Sequence, residues 1–345
     1  MTHPPLVCVQ TTIQAPTSAV RAFADALAAT KSALIVVGDA RGPDPEQFDV
    51  GRLLTLEDQR LLPFTLARHL PENHYARKNL GYLAAIAMDA PRIYETDDDN
   101  APLAHWSPRA ERVQVQPVRP RPWVNAYRLF SPDLHIWPRG FPLERVGDPS
   151  TWDHDDEATV ECQAPIQQGL ANGSPDVDAV WRLVVDAGAD IAFGAHPHGF
   201  LLPAGSWCPF NSQSTWWWPE AYPLLYLPSF CSFRMTDIWR SYVAQRCLWE
   251  LGRGVVFHAP EVFQQRNPHD LLRDFRDEVP GYENNTRLCS LLQGLGLETG
   301  PGSTATNMRR CYQALVEADL VPAAELVLLD AWLDDLSALG HARSV

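Results

Sequence analysis

The first hundred residues alternate between short apolar runs and segments whose apolar residues recur every three or four positions. The runs at residues 6–13 and 33–39 are rich in valine and isoleucine, and a third run ends at residues 92–94, which predicts three buried strands. Between them, one helix is predicted to begin at Pro16 and another to cover residues 75–90. Strand, helix, strand, helix, strand is the order of an α/β layer with a parallel sheet.

The rest of the chain gives a less regular pattern. Residues 104–165 are rich in proline and arginine and predict no clear element. Residues 174–188 predict a helix with Val184 among its inward residues, and residues 235–252 predict another, with Thr236 or Asp237 as N-cap. The remaining predictions are a strand and extended loop over 255–270 and two amphipathic helices over 307–318 and 323–339.

This pattern shows no internal repeat and no disordered linker, so we expect one catalytic domain with a helical tail. The domain would cover residues 1–300, divided into a nucleotide-binding half, 1–103, and an acceptor half, 104–300. Residues 301–345 would form the C-terminal helical extension.

Composition narrows the class of partner. The 28 lysines and arginines are outnumbered by 42 acidic residues, giving a net charge of −14, which is unsuited to non-specific binding of nucleic acid or anionic membranes. Apolar runs such as residues 32–37 are too short to span a bilayer, and no secretory signal is visible. The seven scattered cysteines form no C-x-x-C pair, which favours reduced thiols. We expect a cytoplasmic protein without an integral membrane segment, with peripheral attachment to the membrane's inner face left open.

Three consecutive aspartates, Asp97, Asp98 and Asp99, follow the third predicted strand. Side chains alternate faces along a strand, so Asp97 and Asp99 can point the same way and Asp98 the opposite way. Two carboxylates on one side suit a hard cation, Mn²⁺ or Mg²⁺, completed by phosphate and water. The alternative is a solvated acidic turn. A calcium loop is disfavoured because its D-x-D-x-D-G spacing is absent.

Other polar residues follow the predicted strands. Ligands of parallel sheets bind beyond the carboxyl ends of the strands, where Thr11, Thr12, Asp39 and the aspartates all fall. We therefore expect Thr11, Thr12, Asp39 and Asp98 to contact a nucleotide, with Asp39 meeting its base or ribose.

Two cations open the helix that precedes the aspartates. Arg77 and Lys78, together with the free N–H groups of a helix start, could bind a diphosphate. The alternative is a pair of surface charges.

Six segments between about residue 5 and residue 285 are informative together: VCVQTTIQAPTSAVRAF, LIVVGD, HYARKNLGYLAAIAMDAPRIYETDDDN, CPFNSQSTWW, LLYLPSFCSFRMTDIWRSYVAQRCLWELG and FQQRNPHDLLRDFRDEVPGY. In this order they resemble the STELLO-type glycosyltransferase-like family. The resemblance implies a GT-A fold, an α/β Rossmann-like nucleotide-sugar domain with a mixed, mostly parallel sheet, in which a D-x-D-type motif holds the metal. More distantly, the aspartates resemble those of the reversibly glycosylated polypeptides, which are sugar-nucleotide mutases. Plant members of the STELLO-type family carry a membrane anchor that is not seen in this chain.

The same resemblance suggests roles for residues later in the chain. GT-A enzymes commonly place a carboxylate at the start of a helix on the acceptor side, which makes Asp237 the candidate general base; an ordinary helix cap is the alternative. Their third metal ligand is often a late loop histidine, for which His269 is the candidate and His258 the rival.

Four other segments carry candidate chemistry. His196 and His198 have a metal-ligand spacing but are flanked by Gly and Pro, which favours a loop, and the acidic residues 153–157 are also expected to form a solvated loop. Trp216, Trp217 and Trp218 could stack on a sugar, although at least one is expected in the core. Asp176 and Asp178 are expected at a helix start, with contact to the sugar as the minor alternative.

The function expected from the sequence is a metal-dependent glycosyltransferase. It would move a sugar from a nucleoside-diphosphate sugar, UDP-linked on base rate alone, to an acceptor hydroxyl on a glycan or another molecule. The alternatives are a sugar-nucleotide mutase, a metal phosphohydrolase and a non-catalytic scaffold. The sugar, the acceptor, the oligomeric state and the anomeric outcome are left open.

Overall fold

The structure is a computed structural model that describes residues 3–152, 158–185, 190–267 and 270–340. Its strands are β1 (Val7–Thr11), β2 (Ala33–Val37), β3 (Arg52–Leu54), β4 (Ile93–Thr96), β5 (Asn100–Pro102), β6 (Arg112–Pro117), β7 (Val160–Gln163), β8 (Ile166–Gly173), β9 (Gly199–Leu201), β10 (Ser214–Trp217) and β11 (Val256–Gln264).

The helices pack around the sheet that these strands form. They are α1 (Ser18–Ala29), α2 (Leu56–Leu61), α3 (Lys78–Ile86), α4 (Ala126–Phe130), α5 (Ala179–Val184), α6 (Thr236–Glu250), α7 (Leu271–Gln293), α8 (Thr304–Glu317) and α9 (Ala324–Ala338). Short 3-10 turns at Tyr75–Arg77 and Phe233–Met235 lead directly into α3 and α6.

All described strands belong to one sheet, in the order β3-β2-β1-β4-β10-β8-β11-β9-β6-β7, with β5 paired to β11. The pairings give β1, β2, β3, β4, β7, β8 and β11 one direction and β5, β6, β9 and β10 the other. The α/β class, the Rossmann-like first half and the mixed, mostly parallel sheet are therefore confirmed.

The strand directions decide where a ligand cleft can form. Strands β1, β2, β4, β8 and β11 run parallel, so their carboxyl ends lie along the same edge of the sheet. Loops that follow these ends carry polar residues such as Thr12, Asp39 and Asp97. This edge is where ligands bind in open α/β sheets.

The sheet is buried on both faces. Val7 and Val9 of β1 pack in the main core with α3, whereas Cys8 packs on the other face with Val20 and Phe23 of α1. Alternation along the strand produces this division. Gly81 lets α3 approach closely, since a Cβ there would lie 2.6 Å from the side chain of Val9.

The predicted helices and strands of the first hundred residues are confirmed, while two details in the later chain are wrong. Val184 in α5 is 73% exposed and does not face inward. Neither Thr236 nor Asp237 caps α6, because Met235 is the N-cap residue and Asp237 lies within the first turn. Residues 104–165, for which the sequence predicted no clear element, contribute strands β6 and β7 at one end of the sheet.

The two predicted C-terminal helices are confirmed as α8 and α9. They share the main core with the first half of the chain, through buried residues such as Met308 and Trp332. Asp335 also accepts hydrogen bonds from the backbone N–H groups of Thr65, at 2.8 Å, and Leu66, at 2.9 Å. The division into a catalytic domain and an extension stays a prediction.

Two sequence expectations concern features of the whole chain. Within the described ranges, no helix has the length and apolar character needed to cross a membrane. All seven cysteines are free thiols.

Candidate functional site

A cavity of about 940 Å³ opens at the carboxyl edge of the sheet. Residues at or just beyond the ends of five parallel strands line it: Thr11, Val37, Asp97, Asp176 and Gln264. Thr12, Asp39, Asp98, Asp99, Arg77 and Asp237 line it as well. The structure thus brings these candidates into one cleft, as expected, whereas Lys78 is not among the residues that line it. The contacts of these candidates with a nucleotide stay a prediction.

The three aspartates each have different partners. Asp97 accepts a hydrogen bond from Tyr75 Oη at 2.9 Å. Asp98 accepts from Thr12 Oγ1 at 2.5 Å and from Gln14 Nε2 at 3.1 Å. Asp99 accepts from Gln264 Nε2 at 3.0 and 3.1 Å.

Strand alternation does not govern these side chains, because β4 ends at Thr96 and the aspartates lie in the following turn. The predicted alternation of Asp97, Asp98 and Asp99 is therefore wrong, although the partners of Asp98 do differ from those of its neighbours.

Neutral donors leave the charge of these carboxylates poorly compensated. Burial raises the pKa of Asp97 to about 7, with Lys78 opposing the shift and Asp99 adding to it. Burial also raises the pKa of Asp99, opposed by the hydrogen bond from Gln264. A cation among these carboxylates would lower both pKa values and relieve their mutual repulsion.

Lys78 supplies positive charge to this turn from inside the protein. Its side chain is 0% exposed, and Nζ donates to Tyr75 Oη at 2.9 Å and to the Thr96 carbonyl at 3.0 Å, with Asp97 Oδ1 at 3.4 Å. Arg77 is also buried, and its Nε donates to Gln59 Oε1 at 2.7 Å. The alternative that both are surface charges is wrong. Direct contact with a diphosphate stays a prediction, but these bonds give both side chains structural roles.

Asp39 holds the loop that leads to Tyr75. Its carboxylate accepts from the backbone N–H groups of Asn73 and His74, both at 2.8 Å, and from that of Ala40 at 2.7 Å. Contact between Asp39 and a base or ribose stays a prediction. The backbone bonds add a positioning role that the sequence did not reveal.

Asp237 lies in a different electrostatic setting. Arg139 donates to both of its oxygens at 3.0 Å, and the Ser212 hydroxyl donates to Oδ2 at 3.1 Å. Although burial acts to raise it, the pKa of Asp237 is lowered to about 2 by Arg139. Arg139 also binds Asp176 through two nitrogens, at 2.8 and 2.7 Å, so one guanidinium bridges two carboxylates.

Two hydroxyl groups join Asp97 to Asp237. Tyr75 Oη lies 2.9 Å from Asp97 Oδ1 and 2.5 Å from Ser212 Oγ, which in turn contacts Asp237. Sequence reasoning missed Tyr75, Ser212 and Arg139. The quoted HYARKN and CPFNSQ segments contain the first two, but nothing in their spacing indicates that they meet.

Further arginines line the same cavity and were also missed. Arg234 Nε donates to Glu278 at 2.9 Å, and Arg266 Nη2 donates to Asp274 at 2.7 Å. Both carboxylates come from α7. Arg182 of α5 lines the cavity nearby.

The histidine candidates for the third metal ligand have different outcomes. His269 lies outside the described residues. His258 does not line the cavity: it is buried, it contacts Gln167 Oε1 at 2.9 Å, and burial lowers its pKa well below the usual value. His258 is therefore wrong as the rival ligand.

The remaining candidates have structural roles or lie outside the described ranges. His196 and His198 form a loop in which His196 Nδ1 contacts the His198 carbonyl at 2.7 Å. Asp178 caps α5 and accepts from the Trp137 indole at 2.6 Å, which leaves the helix-start interpretation correct. The acidic residues 153–157 lie outside the described ranges.

All three tryptophans are buried, so the acceptor platform is wrong. Trp216 and Trp217 are 0% exposed and donate to Glu261 at 2.6 Å and Glu95 at 2.8 Å, while Trp218 is 5% exposed.

The side chains in the cavity decide whether a divalent cation fits this site. Among residues 3–152, 158–185, 190–267 and 270–340, no three His, Cys, Asp or Glu side chains are close enough to hold a metal ion. Mg²⁺ commonly binds through one or two carboxylates, with substrate phosphates and water supplying the other ligands. Asp97 and Asp99 fit that mode, since their oxygens are hard ligands and their charge is poorly compensated.

Fold and site together define an α/β protein with an acidic ligand cleft at the carboxyl edge of its sheet. Residues 234–344 match the family model described as STELLO glycosyltransferases. Two Arabidopsis thaliana proteins align with 90% of this chain: "Probable glycosyltransferase STELLO2", 29% identical over 333 residues, and "Probable glycosyltransferase STELLO1", 31% identical over 327 residues. The resemblance to the STELLO glycosyltransferases is confirmed, and the similarity extends over 90% of this chain.

The chain spans 42% of the length of each of these two relatives. Among solved structures, a Mycobacterium tuberculosis glucosyl-3-phosphoglycerate synthase matches with a TM-score of 0.38 and 11% identity, over 82% of this chain and 80% of that one. A likeness this distant says nothing about the site.

Proposed function

We propose that this chain is a metal-dependent glycosyltransferase that moves a sugar from a nucleoside-diphosphate sugar to an acceptor hydroxyl. The observation that carries the proposal is the pair Asp97 and Asp99, held by mainly neutral donors in a cavity that also contains Asp237. The relationship to STELLO glycosyltransferases supports the reaction class.

Asp97 and Asp99 would hold Mn²⁺ or Mg²⁺. When bound, the ion supplies positive charge that stabilises the diphosphate leaving group. Tyr75 and Gln264 orient the two carboxylates, and the buried Lys78 ammonium limits the repulsion between them. UDP is the expected nucleotide, as in the sequence-based expectation.

The nucleotide would lie along the ends of β1 and β2. Thr11, half-buried, lines that part of the cavity, and Thr12 is fixed by its hydrogen bond to Asp98. Asp39 orders the loop before Tyr75 and would contact the base or ribose from that position.

Asp237 would be the general base. Arg139 lowers the pKa of this carboxylate, which makes it a weak base, so we expect the proton of the acceptor hydroxyl to move together with formation of the new glycosidic bond. Arg139 and Ser212 fix the carboxylate's orientation, which favours a single acceptor position.

The test is a thermal-shift screen of nucleoside-diphosphate sugars with and without Mn²⁺, followed by NMR of the incubated mixture with candidate acceptors. We expect Mn²⁺-dependent stabilisation and a new glycosidic product. An isomerised sugar nucleotide would identify a mutase, and released inorganic phosphate without transfer would identify a phosphohydrolase. No binding of metal or nucleotide would identify a scaffold.

A further inference from the structure

A group of arginines forms a second feature of the cavity wall. The arginine cluster consists of Arg182 on α5, Arg234 in the turn before α6 and Arg266 after β11, and all three line the cavity. Burial, together with the positive charges of Arg182 and Arg234, lowers the pKa of Arg266 to about 10. Three guanidinium groups therefore lie near one another and repel.

Arg234 and Arg266 each have a carboxylate partner on α7, and a third carboxylate, Asp176, lies near Arg234. Glu278 lies 2.8 Å from Arg234 Nη2, and Asp274 lies 2.7 Å from Arg266 Nη2. Asp176 is 3.9 Å from Arg234, but it already binds Arg139 through both oxygens. The side chains of Arg234 and Arg266 remain 14% and 16% exposed.

This arrangement suits an anion better than a neutral sugar. A guanidinium group offers several N–H donors in a plane that matches the oxygens of a phosphate or carboxylate, and partial burial strengthens the pairing. Neutral sugar hydroxyls gain nothing comparable from three neighbouring positive charges. In a chain of net charge −14, such a local concentration of arginines is a specific feature.

The cluster adjoins the candidate base. Arg139, which holds Asp237, also donates to the backbone carbonyl of Arg234. A ligand held by the arginine cluster would therefore lie beside Asp237, where the acceptor hydroxyl is expected.

We propose that the arginine cluster binds an anionic group on the acceptor, so that the acceptor is a phosphate- or carboxylate-bearing molecule. This inference rests on the proposed function, because it takes the side of the cavity near Asp237 as the acceptor side.

The test uses inorganic phosphate and acetate as probes, titrated calorimetrically into the full chain with a saturating nucleoside diphosphate and Mn²⁺. We expect saturable binding of at least one probe while the nucleotide is bound. Tighter binding of phosphate would assign a phosphorylated acceptor, and tighter binding of acetate a carboxylated one.

Substitutions in the arginine cluster show where on the protein the probe binds. Arg234→Lys and Arg266→Lys keep the positive charge, so both variants should still fold, but they remove the planar guanidinium group. Each should weaken probe binding by roughly 10- to 100-fold, the range for one charge-assisted hydrogen bond. Arg309→Lys is the matched control, because Arg309 forms an exposed ion pair with Asp330 and does not line this cavity.

Three outcomes would overturn the inference. Wild-type protein that binds nucleotide and Mn²⁺ but neither probe would leave the proposed function intact and remove the acceptor anion site. Displacement of the probe by the nucleoside diphosphate would assign the cluster to the donor's diphosphate. Equal losses in Arg266→Lys and Arg309→Lys would place the probe elsewhere. Failure to bind any nucleotide would instead count against the proposed function.

Discussion

Two groups of aspartates line the same cavity but have different partners. Asp97, Asp98 and Asp99 are held mainly by hydroxyl and amide groups, with one buried ammonium group behind Asp97. Asp176 and Asp237 are held by the guanidinium group of Arg139. The pKa of Asp97 is raised to about 7 and that of Asp237 is lowered to about 2.

The comparison shows that the partners of the carboxylates decide which ion each side of the cavity can bind. Burial raises the pKa of the carboxylates that are held mainly by neutral donors, and a bound cation would favour their ionised form, so that side of the cavity attracts a cation. Carboxylates paired with arginine are already neutralised, and the arginines around them attract an anion.

The largest expected effect is on metal binding. Asp97→Ala and Asp99→Ala should each abolish Mn²⁺-dependent nucleotide binding, a loss greater than about 100-fold, because outer partners of a metal ligand alone account for 10- to 100-fold. Asp176→Asn, on the arginine-paired side, should leave Mn²⁺ affinity unchanged, and Asp98→Asn should weaken it less. Calorimetric titration with and without Mn²⁺ measures this. Equal, small losses at all three aspartates of the turn would contradict a metal site.

The next effect is on the transfer rate. Asp237→Asn should slow transfer by roughly 10²- to 10⁴-fold, the usual contribution of a general base, with donor binding retained. Some stability should also be lost, because the asparagine amide meets Arg139 in place of a carboxylate. Initial rates and donor affinity are measured on the same preparation. A normal rate would remove Asp237 from the mechanism, and equal loss of donor affinity would move it to the donor site.

The third effect is on folding. Arg139→Met should lower the free energy of unfolding by about 3–5 kcal/mol, because Asp176 and Asp237 lose their buried cation. Arg309→Met, which breaks an exposed ion pair, should cost at most about 1 kcal/mol. Urea denaturation measures both. Similar values for the two variants would show that the buried pairing adds little.

The smallest effect tests the connection between the two groups. Tyr75→Phe removes the hydroxyl between Asp97 and Ser212 and should cost about 0.5–1.5 kcal/mol, the net value of one hydrogen bond. Mn²⁺ affinity should fall by less than about tenfold, since both carboxylates remain. Urea denaturation and manganese titration provide the measurements. A loss as large as that of Asp97→Ala would make Tyr75 a direct participant in the site.

The sequence predicted those helices and strands whose buried residues recur at a regular spacing along the chain. Strand β1 and helix α1 were predictable because alternation and 3.6-residue periodicity mark the residues that reach the core. The aspartates were placed at the cleft for a related reason, since strand ends in a parallel sheet share an edge. Strands β6 and β7 were missed because they lie towards one end of the sheet and are partly exposed, so that their apolar residues form no continuous run.

Contacts between distant segments were not predictable. Arg139 and Asp237 are 98 residues apart, and Tyr75 and Ser212 are 137 apart, so no local spacing indicates either pair. Trp216 and Trp217 point to opposite faces of β10, and both are buried because packed residues cover both faces of the central sheet. The sequence could not distinguish that setting from a sugar-binding surface.

The hydrogen bonds from Thr65 and Leu66 to Asp335 also bear on how the protein is made. Asp335 follows Thr65 by 270 residues, which a ribosome adding roughly 5–20 residues per second takes about 14–54 s to synthesise. During that interval the turn at residues 65–68 lacks its carboxylate partner, and the apolar surface that α9 later covers is open to water. Newly made first halves of the chain should therefore be the form most dependent on chaperones.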